Sequence, residues 1–160
     1  MNTKKNITLF LLFISIVLIW SCRKSKLTNN LCDCANSKVL ETIDTVTLKI
    51  PNIFTPNADG VNDYWFVTNL MYFQNVKLKI KENGLLKKTV FESNNYTNNW
   101  DGTNDGKPLH DGKYAYELII GSKTFSGYVC IFGVGKIEPK NNKCLQNCTP
   151  TDSRDILLMN

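Results

Sequence analysis

The chain has 160 residues, a formal net charge of +5 and a single histidine. Its length allows one compact core rather than two. A charge balance this mild excludes the dense basic footprint of a nucleic-acid-binding protein, and one histidine excludes a His-rich zinc site.

The N-terminus carries an export signal. Lys4 and Lys5 form a basic start, Ile7 to Trp20 is apolar enough to partition into a membrane, and Ile19-Trp20-Ser21-Cys22 follows at once. The apolar stretch is short for a spanning helix, so residues 1–21 are expected to be a signal peptide. A small residue directly before a Cys, with an aliphatic residue three positions back, resembles the lipobox at which bacterial lipoproteins are cleaved and acylated. Cys22 is the expected lipidation site; an ordinary secretory signal or an uncleaved anchor are the alternatives. Removing residues 1–21 from the 160 leaves 139, and the charge falls by the two lysines from +5 to +3. Arg23, Lys24 and Lys26 would then lie beside anionic headgroups.

Residues 22–44 are polar and without period, which predicts a tether. From there to residue 132 the pattern is that of short strands. Val46, Leu48 and Ile50 share one face, then a loop rich in Pro, Asn, Asp and Gly runs from Pro51 to Asp63. Trp65 to Leu70 resumes an apolar run. Val76, Leu78 and Ile80 alternate with Lys77, Lys79 and Lys81, and Asn83-Gly84 predicts a tight hairpin turn with positive φ at both residues, after which Thr89 to Phe91 returns. A second polar loop, Ser93 to Asp111, holds Trp100. Tyr114, Tyr116, Leu118 and Ile120 alternate with Ala115, Glu117 and Ile119, Gly121-Ser122 turns, and Thr124 to Phe132 closes the pattern. Short alternating strands with no helical period predict an all-β fold, an antiparallel β-sandwich. Residues 133–160 form a polar Cys-containing tail with a short apolar end, Ile156 to Met159, expected either to be disordered or to dock on the sandwich.

Four motifs stand in fixed order: Ile50-Pro51-Asn52-Ile53-Phe54-Thr55-Pro56-Asn57-Ala58-Asp59-Gly60-Val61-Asn62-Asp63-Tyr64-Trp65, Asn98-Asn99-Trp100-Asp101-Gly102-Thr103, Asp111-Gly112-Lys113-Tyr114 and Gly127-Tyr128-Val129. In that order and spacing they resemble the gliding-motility-associated C-terminal domain, the type B sorting domain of type IX secretion in Bacteroidetes. The resemblance implies an immunoglobulin-like sandwich of about seven strands over residues 45–132, and a role as the signal by which the secretion machinery recognises and surface-attaches cargo. Two departures stand out. Glu82-Asn83-Gly84 occupies the place of the family's usual Arg-Trp-Gly, and Gly133-Val134-Gly135 follows where a basic residue commonly ends the protein.

Candidate sites are few. No spacing pairs a nucleophile with a base, so no enzymatic activity is expected. Cys32 and Cys34 precede the sandwich while Cys144 and Cys148 follow it, and an exported chain permits disulfides, so bridges between the two flanks are expected. A four-thiolate metal site is the alternative, and Cys-x-Cys with Cys-x3-Cys is poor zinc spacing. Cys130, on the face of Tyr128 and Phe132, reads as a buried thiol acting as a small hydrophobe. Asn57, Asp59, Asp63 and Asp101 offer oxygen ligands on two loops, which could hold Ca²⁺ or could simply be turn residues. No other cofactor is expected. Trp65 and Trp100 are expected as core anchors. Asp44-Thr45-Val46 resembles the Asp-Thr/Ser-aliphatic site at which Bacteroidetes glycosylate exported proteins, placing a candidate glycan on Thr45.

These readings converge on a lipid-anchored protein of the cell envelope, at the outer membrane rather than the inner, its face undetermined. It would act as a non-enzymatic binding or structural module whose partners are the membrane, the type IX or gliding machinery, or another envelope protein. The alternatives are a type IX substrate whose sorting domain is nearly the whole mature protein, and a remnant of a larger exported protein.

Overall fold

A computed structural model of the chain describes residues 38–133, 148–155 and 158. The fold is all-β. Its centre is a five-stranded sheet built from β3 (Ile53–Phe54), β4 (Lys77–Glu82), β5 (Thr89–Ser93), β8 (Gly112–Ile120) and β9 (Lys123–Ile131), in the order β3-β9-β8-β4-β5. A ribbon of β1 (Leu40–Ile43) and β2 (Val46–Lys49) and a small hairpin of β6 (Thr103–Asn104) and β7 (Lys107–Pro108) complete the strands among the described residues. One short 3-10 turn, Leu70–Tyr72, lies in the loop before β4.

The alternation read from β4 and β8 places Leu78, Ile80, Tyr114, Tyr116, Leu118 and Ile120 on one buried face. The opposite layer of the sandwich is the β1–β2 ribbon, which contributes Ile43, Leu48 and Ile50, together with two loops that contribute Trp65, Val67, Tyr96 and Trp100. Trp65 and Trp100 are both fully buried, as core anchors should be. The indole of Trp65 donates to the Pro51 carbonyl at 2.7 Å, and Tyr96 donates its hydroxyl to the Trp65 carbonyl. Burial therefore leaves these amphipathic rings with their polar handles satisfied.

Four features differ from the sequence reading. Leu40–Ile43, expected as part of a tether over residues 22–44, forms β1 and pairs with β2 in register from Leu40↔Lys49 to Ile43↔Val46. The sandwich is not purely antiparallel, since β3 runs parallel to β9 through Ile53↔Cys130 and Phe54↔Ile131. The apolar run from Trp65 to Leu70 is not a continuous strand; it meets β2 at an isolated antiparallel bridge, Lys49↔Thr68, and Asn98 pairs with Val67 through its side chain. The connection between β4 and β5 is longer than the two-residue turn expected at Asn83-Gly84. Glu82 N–H closes it onto the Lys88 carbonyl at 2.9 Å, and the left-handed residue is Lys87 at φ 42°. A register irregularity at Ile80/Lys81 accompanies this longer loop, whose tip leaves Leu85 and Leu86 fully exposed.

The turn at Gly121 behaves as expected, with φ at 60° and Ile120 paired to Lys123 across a two-residue loop. Gly127 is required for a different reason. A Cβ there would come within 2.7–2.8 Å of the buried Tyr116 ring on the neighbouring strand.

Candidate functional site

The first motif forms a self-locked loop. Asn57 Oδ1 accepts the Asp59 N–H at 3.1 Å, Asp59 Oδ1 accepts the Val61 N–H at 2.8 Å, and the two Asp63 oxygens take the Ala58 and Gly60 N–H groups at 2.6 and 2.8 Å. These carboxylates thus cap backbone donors, the ordinary work of Asx residues in tight turns. Asp101 does the same in the second motif, accepting the Thr103 N–H at 3.0 Å and the Thr103 hydroxyl at 2.7 Å. The two loops meet. Asp63, Tyr64, Asp101 and Gly102 line one shallow hollow of roughly 270 Å³ together with Pro56, Ala58, Thr103 and Pro108. Of the four oxygen-ligand candidates, the structure therefore brings Asp63 and Asp101 to one hollow, while the side chains of Asn57 and Asp59 bond each other at 2.8 Å within the first loop.

Gly102 sits where these loops touch the core. Its φ is +76°, and a Cβ would meet Pro56, Phe54 and Ile131 at 3.1–3.4 Å, so the Asp-Gly pair after Trp100 is dictated by both conformation and space. Asn98 joins the motifs from another side. Its side-chain amide accepts the Val67 N–H at 2.9 Å and donates to the Val67 carbonyl at 3.1 Å. A carboxamide presents the same donor and acceptor pair as a peptide unit, so Asn98 substitutes for a missing strand partner.

The same device holds the C-terminal segment. Asn62 donates to the Asp152 carbonyl and accepts the Asp152 N–H, both at 2.8 Å. Asn52 accepts the Thr149 N–H on its side chain at 2.6 Å, while its own N–H donates to the Thr149 carbonyl at 3.3 Å. Lys49 donates its ammonium to the Thr151 carbonyl at 3.0 Å, and the Thr151 hydroxyl donates to the Phe66 carbonyl at 2.7 Å. Asp155 is completely buried; its carboxylate accepts the Thr55 hydroxyl and, at 3.0 Å, the Asn62 amide. Asn52 and Thr55 are buried with it. Arg154 grips Asp152 from within the segment, and this hydrogen-bonded guanidinium lowers the Asp152 carboxyl to about 2.

Residues 149–155 thus form a strap along the β3 edge of the sheet, over the first motif. Of the apolar end Ile156 to Met159, Leu158 packs on the sheet, and the other three residues lie outside the described residues. Two residues that flank the strap explain the burial of Cys130. Val129 and Ile131 face the main core, while Cys130 and Phe132 point to the opposite face, where Ile53, Cys148 and Leu158 cover them in a second small cluster. Cys130 is a buried thiol, 1% exposed. Cys148 packs on this cluster and has a further interaction outside the described residues.

The remaining site candidates divide by location. Cys22, Cys32, Cys34 and Cys144 lie outside the described residues, as do the signal peptide and most of the tether. Thr45 is exposed at the β1–β2 turn, beside Asp44 at φ 53°. His110 is exposed, and its backbone carbonyl accepts the Tyr114 hydroxyl at 2.9 Å. Sequence reasoning missed Asn52, Thr55, Asn62 and Asp155 as a group. The one available signal was that three polar side chains stand inside a motif otherwise made of turn formers and core residues.

A model of the CHU_C type IX secretion signal domain matches residues 48–131, which is 84 of the 160. The chain belongs to that family. No curated protein and no solved structure matches it. The match begins at Leu48 in β2 and ends at Ile131, the last residue of β9, so it spans all four motifs and leaves the strap outside. Membership in a type IX secretion signal family makes this a secreted or envelope-associated protein bearing a type IX sorting domain. Its long hairpin between β4 and β5, with Leu85 and Leu86 at the tip, occupies the position where Arg-Trp-Gly is usual in the resemblance drawn above.

Proposed function

We propose that the chain is a lipid-anchored protein of the cell envelope, held by an acylated Cys22 at the outer membrane rather than the inner. In it the CHU_C domain serves as a non-enzymatic binding or structural module, without a required cofactor. The observation that carries this reading is the strap. A segment outside the family match is seated on the family's first motif and buries Asp155 against Thr55 and Asn62. A face engaged in this way by another segment of the same chain suits a closed module better than a signal presented to export machinery. Support for the anchor comes from Ile19-Trp20-Ser21-Cys22 and the basic residues behind it. The expected partners are the membrane and either the secretion or gliding machinery or another envelope protein.

The bridge between the Cys32/Cys34 and Cys144/Cys148 flanks belongs to the same proposal. It is supported by the position of Cys148, which directly precedes the strap and packs on the Ile53, Cys130 and Phe132 cluster. A crosslink there would hold the strap's first residue beside its groove. A second reading, a type IX substrate whose sorting domain is nearly the whole mature protein, is favoured by the family membership itself.

Metabolic labelling with an alkynyl fatty acid tests the anchor. The wild-type chain should carry the label and Cys22→Ala should not; equal labelling of both would reject lipidation at Cys22.

A further inference from the structure

The strap is held mainly through its main chain. Asn52 and Asn62 each engage both the N–H and the carbonyl of one strap residue, Thr149 and Asp152, and Lys49 takes the Thr151 carbonyl. Among the described residues of the strap and its continuation to residue 158, the side chains drawn into the surface are the fully buried Asp155 and the partly buried Leu158, with the Thr151 hydroxyl bonding at the rim. Main-chain recognition beside an edge strand is how sheets bind extended peptides, with pockets for selected side chains supplying the specificity. Here the pockets select a carboxylate and, three residues later, an apolar side chain.

We propose that the groove formed by Lys49, Asn52, Thr55, Asn62 and the Ile53/Cys130/Phe132 cluster is a peptide-binding site, and that residues 149–158 are its resident ligand in cis. Its ligand in trans is an extended segment of another polypeptide with the pattern Asp-x-x-Leu. This deepens the binding-module reading by naming the partner's chemistry, and it rests on that reading for its biological sense. The groove pairs any main chain in the right register through the Asn62 carboxamide and through the side-chain oxygen and backbone N–H of Asn52, while a hydroxyl and an amide require an acceptor at the Asp position. Thr55 and Asn62 both donate to the same carboxylate oxygen, Oδ2 of Asp155, so a side chain without an acceptor there, such as Ala, would leave both donors unmet. The cis segment competes at the high effective concentration that covalent linkage provides, so a trans ligand gains access when the strap's own anchor is weakened.

The test uses a fluorescent synthetic peptide of residues 149–158 and the processed full chain, purified in detergent. The Asp155→Ala chain should bind this peptide, and the wild-type chain should bind it at least ~10-fold more weakly because its own strap is in place. A peptide carrying Asp155→Ala should bind the variant chain ~10–100-fold more weakly than the wild-type peptide, the range expected for losing buried hydrogen bonds to a charged group. Equal binding of the two peptides, or no binding by a folded Asp155→Ala chain at millimolar peptide, would overturn the proposal. If that variant does not fold, hydrogen exchange on the wild type decides. The Thr149 and Asp152 amides should exchange ~100-fold or more faster than Leu118 in β8, because a displaceable strap opens without global unfolding. Exchange only together with the core would overturn the proposal, as would a wild-type dimer whose straps sit in each other's grooves. These measurements report on the groove alone. They can fail while the anchored-module reading stands, and can succeed even if the chain proves to be an export substrate.

Discussion

Trp65 and Trp100 meet edge to face, their ring centroids 6.5 Å apart at 83°, and the Trp65 N–H donates to the Trp100 carbonyl at 2.9 Å. This pair joins the first two motifs of the family and sets the spacing of the loops that form the hollow. Around it Phe54, Phe91, Tyr114 and Tyr116 complete an aromatic cluster with centroid separations of 5.0–6.4 Å. Trp100→Ala should destabilise the domain by about 3–5 kcal/mol, the usual cost of deleting a buried indole together with the cavity it leaves. Urea unfolding followed by circular dichroism measures this. A loss below about 1 kcal/mol would show that the two loops hold together without the pair.

The Gly127-Tyr128-Val129 motif makes a separate claim about space. Tyr116 lies against Trp65 at 5.0 Å and is only 6% exposed, so its ring has little room to yield to a new methyl group 2.7–2.8 Å away. Gly127→Ala should therefore cost about 1–3 kcal/mol through overpacking. Gly127→Ala combined with Tyr116→Leu should recover part of that loss. Independent, additive effects of the two changes would contradict the contact.

Burial also sets the alkaline limit of stability. The Tyr116 hydroxyl is pushed up to about 12 by burial, with the Glu41 charge adding to the effect, and burial raises Tyr96 further. Both phenols stay neutral in the fold while an unfolded chain ionises them near about 10. Between about pH 10 and 12 the unfolded state binds fewer protons than the native state, so stability falls as pH rises. Urea midpoints should accordingly be level with respect to these groups up to about pH 10 and decline above it. Tyr116→Phe should flatten the decline, and an unchanged slope in that variant would contradict the assignment.

How much of this was legible before the structure depended on whether side chains or main chain did the binding. Leu78 and Ile80, and Tyr114 through Ile120, alternate because one face of each strand is buried, so the sheet and its core could be read directly. The two tryptophans could be placed by size alone. β1 was missed because only Ile43 of its four residues is buried, so it has no alternation to betray it. The parallel β3 was missed because two residues carry no period. The strap left the weakest trace. Asn52, Asn62 and Lys49 grip backbone atoms, which every residue possesses, so nothing in the composition of 149–155 marks it as a ligand. Cys130 was expected to be buried, but its cover comes from Cys148 and Leu158 on either side of that strap rather than from the sandwich interior. Asn57, Asp59, Asp63 and Asp101 show the converse, since residues that suit calcium also suit tight turns, and here their oxygens cap backbone donors.

The central claim is that this CHU_C domain acts as an anchored module rather than as an export signal. A reporter fused ahead of residues 45–160, expressed in a type IX-competent host beside a fusion to a family domain that retains Arg-Trp-Gly and a basic end, tests it most directly. The reporter carrying residues 45–160 should remain cell-associated in the periplasm while the comparison fusion reaches the surface or the medium. Export of both at comparable efficiency would contradict the account and establish the chain as a secretion substrate.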